Sequence, residues 1–171
     1  MALPSKLKNM MLFVDGNSYG GVCKSVTVPV LARKMEAFRG GGMNGPVKVD
    51  LGFSDDGLQI EWTLGGLDVA VLKQYGAVGA AAIPLRWAGA YQRDDTGQVM
   101  AVEIQARGRH ETIDSGEAAP GEDTEVKITS TLSYYKLTID NAEVIEIDLL
   151  NFIEKVDGKD LLEAQRQALG L

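Results

Sequence analysis

The segment Ile83–Phe152, IPLRWAGAYQRDDTGQVMAVEIQARGRHETIDSGEAAPGEDTEVKITSTLSYYKLTIDNAEVIEIDLLNF, decides the fold. Four runs in it alternate apolar and polar residues, separated by turn residues. A period of two marks a strand with one buried and one wet face. In 98–107, Met100, Val102, Ile104 and Ala106 oppose Val99, Ala101, Glu103, Gln105 and Arg107. In 125–135, Val126, Ile128, Ser130, Leu132 and Tyr134 oppose Lys127, Thr129, Thr131 and Ser133. In 143–153, Ile145, Ile147 and Leu149 oppose Val144, Glu146 and Asp148. With the run 83–92, these strands predict an antiparallel sheet that packs a core on one side and meets water on the other.

Outward from that sheet the pattern stays mainly β. Val22–Val28, Val47–Gly52 and Leu58–Leu64 read as strands, and Met10–Val14 is a short apolar run; in 30–38, Leu31, Met35 and Phe38 also fit a helix, but the β-rich neighbours favour a strand. Pro29 cannot donate to a ladder and marks a bulge or an edge. Leu67–Tyr75 is the one good internal helix, with Leu67, Val71, Leu72 and Tyr75 on one side and Gly76 where it stops. Asp160–Leu169 predicts a short terminal helix ended by Gly170. Asp94-Asp95-Thr96-Gly97, Asp140-Asn141 and Asp157-Gly158 are turns. Glycine supplies 20 of 171 residues, well above the average of about 7%, which fits many short connections. The sequence predicts one domain. Within it, 39–57 reads as a projecting arm and 108–124 as an acidic loop.

Composition excludes several functions. A net charge of −7 offers no basic excess for gripping nucleic acid. One cysteine, Cys23, precludes an internal disulfide and suits a reducing compartment. No apolar run is long enough to span a bilayer, and no cleavage signal follows the short run Met10–Val14, so a cytosolic product without insertion into a membrane is expected. Charge is unevenly placed. Residues 1–49 hold seven Lys/Arg and two Asp/Glu, 50–171 hold ten and twenty-two, and Glu111–Glu125 holds six acids and no base.

No catalytic or metal motif survives inspection. Gly40-Gly41-Gly42-Met43-Asn44-Gly45 has dinucleotide-loop spacing, but Pro46 and an alternating run follow where a helix must start. Asp95-Thr96-Gly97 and Asp114-Ser115-Gly116 resemble aspartic-protease triplets, yet they lie too close together for two lobes. His110, the only histidine, sits among Arg107, Arg109 and Glu111 and reads as a surface residue at a strand end. One Cys and one His make no zinc cluster, and Asp15-Gly16-Asn17 lacks the acid that would close a calcium loop. Trp62 and Trp87 read as core. No enzyme, cofactor or metal site is expected.

The chain resembles the major tail tube proteins of contractile-tailed bacteriophages nearly end to end. The resemblance is carried by Lys24-Ser25-Val26-Thr27-Val28-Pro29, Arg39 to Gly45, Val49-Asp50-Leu51-Gly52, and Glu61-Trp62-Thr63-Leu64-Gly65-Gly66. Tyr91 to Gly97, Gly116-Glu117, Gly121 to Glu125, Ile147-Asp148 and Asn151 to Val156 complete it. It implies an antiparallel β-sandwich with a flanking α-helix, whose copies form hexameric rings with a shared inner barrel. Rings would stack into the tube through which the genome passes, inside a contractile sheath. Tape-measure, baseplate and tail terminator proteins would be partners, and DNA would pass without specific binding. The place implied is the virion tail, after assembly in the host cytoplasm. A phage-derived injection system, such as a tailocin or a secretion tube, would share this architecture. A monomeric β-sandwich binding module is the competing class.

Two residue sets follow. The wet strand faces nominate Glu103, Gln105, Lys127, Thr129, Thr131, Glu146 and Asp148 as channel lining. Ring stacking is expected from the basic N-terminus (Lys6, Lys8) and the arm (Arg39, Gly40, Gly41, Gly42, Met43, Asn44, Gly45). Their expected counterpart is the acidic loop (Glu111, Asp114, Glu117, Glu122, Asp123).

Overall fold

The computed structural model describes residues 1–171. In chain order the elements are β1 (Lys6–Val14), β2 (Asn17–Ser18), β3 (Cys23–Thr27), β4 (Arg33–Phe38), β5 (Val47–Phe53), β6 (Leu58–Leu64), α1 (Val69–Lys73), β7 (Ile83–Gln92), β8 (Val99–Asp114), β9 (Val126–Ile139), β10 (Ala142–Asp148), β11 (Ile153–Val156), β12 (Lys159–Asp160) and α2 (Glu163–Ala168). Ten strands form one antiparallel sheet, and β4 and β5 form a separate hairpin. The positions predicted for β6 and β7 agree with the structure. No helix is long and apolar enough to cross a membrane.

β9 shapes the sheet. One of its edges pairs with β8 along nearly the whole strand. The other pairs first with β6, over Val126–Leu132, and then with β10, over Tyr134–Ile139. At the changeover Leu132 faces Gly108 and Tyr134 faces Arg107, so Ser133 is an extra residue: a β-bulge. Its carbonyl accepts the Leu149 amide at 3.0 Å and its hydroxyl donates to the Ala80 carbonyl at 3.0 Å. The sheet thus divides into a smaller leaf, β3-β6-β9-β8, and a larger one, β2-β1-β7-β8-β9-β10-β11-β12. Different halves of β8 and β9 serve each leaf.

Both leaves turn their apolar faces inward on one cluster of 18 buried side chains. Leu58, Ile60, Trp62 and Leu64 alternate on β6, opposite Leu132, Ser130, Ile128 and Val126. The row Val14–Leu85–Ala106–Tyr135–Ile147 crosses the larger leaf. Each fully buried Leu, Ile or Val contributes about 1.5–3 kcal/mol relative to exposure.

The bulge corrects the expected facing of β9. Tyr135, not Tyr134, enters the core, because one extra residue moves every later side chain to the other face. β10 also ends earlier than expected. After Asp148 the chain turns, Phe152 takes φ 56°, and Leu149 points outward. α1 is shorter than predicted and buries only Val71. A single turn cannot carry a stripe, so Leu67, Leu72 and Tyr75 stay exposed. Residues 108–114 of the expected acidic loop are strand, and only the stretch beyond Asp114 is loop.

His110 is not at the surface. It is 7% exposed and points inward from β8. The Trp62 indole N–H donates to Ser130 Oγ (3.1 Å), Ser130 Oγ lies 2.8 Å from His110 Nδ1, and His110 Nε2 lies 2.8 Å from Gln74 Oε1. A neutral ring with the proton on Nε2 satisfies every group in this chain. The network ties β6, β9, β8 and the C-cap of α1 together. Burial lowers the His110 pKa below its ordinary 6.5.

Two outcomes are expected. A Cβ at Gly108 would lie 2.0 Å from the Thr131 carbonyl oxygen, so Gly108→Ala should destabilise the subunit by about 3 kcal/mol or more in urea unfolding. Gly66→Ala, where nothing lies within 4 Å, should change stability by under about 1 kcal/mol. Because the unfolded state binds the His110 proton more tightly, that contribution is complete above pH 6.5 and is lost as pH falls towards the lower folded value. The slope between pH 6.5 and 5 should flatten in His110→Gln. Carboxylates held down by basic partners or backbone amides, such as Asp50 and Asp160, act in a separate window below their ordinary 3.8. An unchanged slope in His110→Gln would contradict the assignment.

Candidate functional site

Strand pairing places the expected lining residues on the outer face of the sheet, and the two leaves divide them. Glu103, Gln105 and Glu146 belong to the larger leaf. There the row Phe13–Arg86–Gln105–Lys136–Glu146–Lys155 crosses six strands. Lys127, Thr129 and Thr131 belong to the smaller leaf. They stand opposite Thr63, Glu61 and Gln59 of β6 and opposite Asp114, Thr112 and Arg109 of β8.

The larger leaf's outer face is a lattice of paired charges. The Arg86 guanidinium lies 3.2 Å from Glu103, and Gln105 Nε2 donates to the same carboxylate at 2.7 Å. These partners hold the Glu103 carboxyl below its usual range. Tyr134 donates to Glu146 at 3.0 Å, and burial, reinforced by that carboxylate, pushes its phenol up to about 12. Arg86 lies over the Phe13 ring and Arg107 over the Tyr134 ring, at 5.0 and 4.1 Å. Exposed ion pairs of this kind contribute about 0–1 kcal/mol each. They fix orientation more than they stabilise.

Asp148 is withdrawn from this face. It is 8% exposed, and its carboxylate accepts from the Leu150 and Asn151 amides (3.2 and 3.1 Å) and from Asn151 Nδ2 (2.6 Å). It caps the turn that ends β10. Conversely, Gln59, Glu61, Thr63 and Arg109, none of them expected at a site, share the outer face with Lys127, Thr129 and Thr131, as does Glu111, expected at the stacking contact instead. Gln59, Glu61 and Thr63 alternate cleanly with the apolar residues of β6, so the signal was present. Glu111 is joined to the row through Thr131 Oγ1, which donates to its carboxylate at 2.8 Å.

The smaller leaf has two open edges. β3 pairs only with β6. On its far side, β8 loses its partner where β7 begins, at the Ile83–Gly108 pair, so 109–114 pairs with β9 alone. Unpaired strand edges are templates for another chain.

The nominated stacking residues do not form one charged contact. Lys6 and Lys8 lie within β1, and Lys8 pairs with Asp94 at 2.8 Å. Lys24 binds Asp123 and, at 3.1 Å, Glu125, tying the acidic loop to its own subunit. Glu111 and Asp114 are in strand, leaving Glu117 and Glu122 on the loop. The arm is an ordered hairpin that begins earlier than expected, at Arg33. Arg33 anchors its root to Asp50 (2.6 Å) and to Glu154 of β11. At its tip Arg39 donates to the Met43 and Asn44 carbonyls (3.3 and 3.4 Å), and Gly42 takes φ +81°. One hairpin face carries Phe38, Val47, Val49 and Leu51, between 42% and 58% exposed.

Residues 4–170 match the family model described as phage tail tube protein FII. The chain is 54% identical to the tail tube protein of Escherichia phage P2 over 172 residues, covering all of both chains. It is 42% identical to the major tail tube protein of Serratia phage KSP20 over 161 residues, 94% of this chain and 92% of that relative. These relatives are structural proteins of the virion tail and not enzymes. With the family model matched over residues 4–170 and both relatives similar along almost its entire length, the chain belongs to the phage tail tube protein family.

Proposed function

We propose that six copies of this chain close into a ring, that rings stack into the inner tube of a contractile tail, and that the genome passes through it. The observation that carries this reading is the smaller leaf: four antiparallel strands with an open edge on each side. Rotation about a tube axis preserves strand direction. With an even number of alternating strands, β3 of one copy meets β8 of the next antiparallel, and the ring closes as one continuous antiparallel barrel. The larger leaf suits this less well. Its extreme strands, β2 and β12, are two residues each, and short edges discourage pairing. About 24 strands at about 4.8 Å spacing make a backbone cylinder about 37 Å across, widened further by strand tilt.

In this arrangement Lys127, Thr129 and Thr131 line the channel with Gln59, Glu61, Thr63, Arg109 and Glu111. The lining is hydroxyl-rich and mixed in charge, so a passing polyanion gains little from counterion release. Glu103, Gln105 and Glu146 then face outward, where the sheath would dock. Tape-measure, terminator and baseplate proteins would meet the tube at its lumen and its ends. The hairpin reaches the next ring, and its apolar face carries the contact in place of the charges expected there.

Two tests address this reading. In a Cys23→Ser background, Thr27→Cys is combined with Arg109→Cys, Thr112→Cys or Asp114→Cys. Oxidation of assembled protein should give a ladder of cross-linked species ending at six for one pairing. Rings seen by negative stain without any cross-link would reject this edge pairing. Phe38→Asp should leave rings intact but shorten or abolish tubes; tubes of normal length would exclude the hairpin as the connector.

A further inference from the structure

We infer that α1 and the following loop, 74–82, form the seat for the Val28–Leu31 segment of the neighbouring copy in the ring. This rests on the ring closure proposed above and assigns a second, apolar contact beside the shared edge.

The seat is exposed and apolar yet firmly held. Tyr75 is 75% exposed and Val78 95%, and Leu72 is 40% exposed beside them. Between Val69 and Ala82 the only charged residue is Lys73. Three ties fix this surface to the body. Asp68 caps α1 by accepting the Val71 amide (3.0 Å) and also accepts the Tyr19 hydroxyl (3.4 Å). Gln74 meets His110 at 2.8 Å, and the Ala80 carbonyl accepts from Ser133. Apolar side chains fixed in water on such a platform imply a partner.

Position and register name that partner. The loop leads into β7 at Ile83, opposite Gly108, and the open edge of β8 starts at the next residue. The seat therefore stands at the head of that edge. Within one copy, Thr27, Glu61, Thr129 and Thr112 lie in one row. When β3 of a neighbour pairs antiparallel with β8, its C-terminal end points towards Arg109 and the seat beyond it. The residues leaving β3 at that end are Val28, Pro29, Val30 and Leu31. Val28, Val30 and Leu31 are exposed large apolar residues, Val30 at 71%. Pro29 fixes its own φ and stiffens the extension. Each open edge of the leaf thus carries its own apolar shoulder, and one closure covers both.

Paired cysteines separate this inference from the one beneath it. In the Cys23→Ser background, Val30→Cys combined with Val78→Cys or Tyr75→Cys should give the same ladder to six on oxidation of assembled protein. In separate tubes, Val78→Cys alone should lose maleimide reactivity relative to the free subunit. If the Thr27 pairs cross-link while the Val30 pairs do not, the barrel stands and the seat is wrong. If Val78→Cys in tubes reacts as fast as in the free subunit, the surface faces outward, as a sheath contact would, and the inference fails. If neither set cross-links in visible rings, the edge pairing itself is rejected. Val78→Asp should weaken ring formation more than about a hundredfold, as expected for an unpaired charge buried at an interface, while subunit unfolding is unchanged.

Discussion

Gly108 and Ser133 meet where the longest hairpin of the chain, β8–β9, falls out of register, and this slip governs the molecule. A sheet with one apolar face must cover that face. This one covers it with itself, which requires its two central strands to leave one leaf and enter the other. The extra residue in β9 supplies the bend, and the missing Cβ at Gly108 lets the Thr131 carbonyl approach closely enough to complete it. From this follow the enclosure of the core, the division of the outer face and the exposed edge of β8. β7 reaches only as far as Gly108, so the strand beyond has no neighbour within its own subunit.

The distribution of apolar surface points the same way. Twenty-five large hydrophobic residues are exposed against a core of 18. Scattered exposed leucines need no explanation, but most of these collect on the hairpin, on α1 with its loop, on Val28–Leu31, and around the β10–β11 turn with the chain end. Burial of apolar surface contributes about 25 cal/mol per Å², so even modest contacts of this kind outweigh the exposed ion pairs. That bears on how a tail tube subunit should be read. Some of its charges pair with one another, Lys24 with the acidic loop, Lys8 with Asp94 and Arg86 with Glu103, and the remaining ones are solvated. Exposed apolar side chains and unpaired strand backbone stand beside these charges as the surface that burial in a contact would stabilise most.

How far the sequence led can be traced to particular residues. Alternation located β6 and β7 and sorted the faces of β8, because each of these strands has one wet side along most of its length. It failed at Ser133, since Leu132-Ser133-Tyr134-Tyr135 contains nothing that distinguishes a slip from a continuing strand. It failed again at Asp148-Leu149, where the pattern runs on formally although the carboxylate has already begun a turn. His110 was hidden by Arg107, Arg109 and Glu111, all outward neighbours of an inward ring whose partners, Ser130 and Gln74, are distant in sequence. The outer face was legible as a face. Its division between two leaves was not, because that depends on which strand follows which along one edge of β9, and pairing order leaves no mark in periodicity.

A conduit for a polyanion must offer neither sustained attraction nor a barrier. On the smaller leaf's outer face, acids and bases are interspersed: Glu111 follows Arg109 by two residues on β8, and Lys127 faces Asp114. At physiological salt, fields screen over about 8 Å. Opposite charges spaced this closely therefore largely cancel for anything moving past them. The threonines between them add neutral hydroxyls, Thr131 donating to Glu111 and Thr63 and Thr129 lying on the same face. The larger leaf differs, with its guanidiniums stacked on Phe13 and Tyr134 in fixed orientations. Fixed cationic groups on aromatic platforms suit a stationary partner better than a moving one. This contrast between the leaves supports the same assignment of inside and outside as the open edges do, and it draws on side-chain chemistry where the edges draw on backbone.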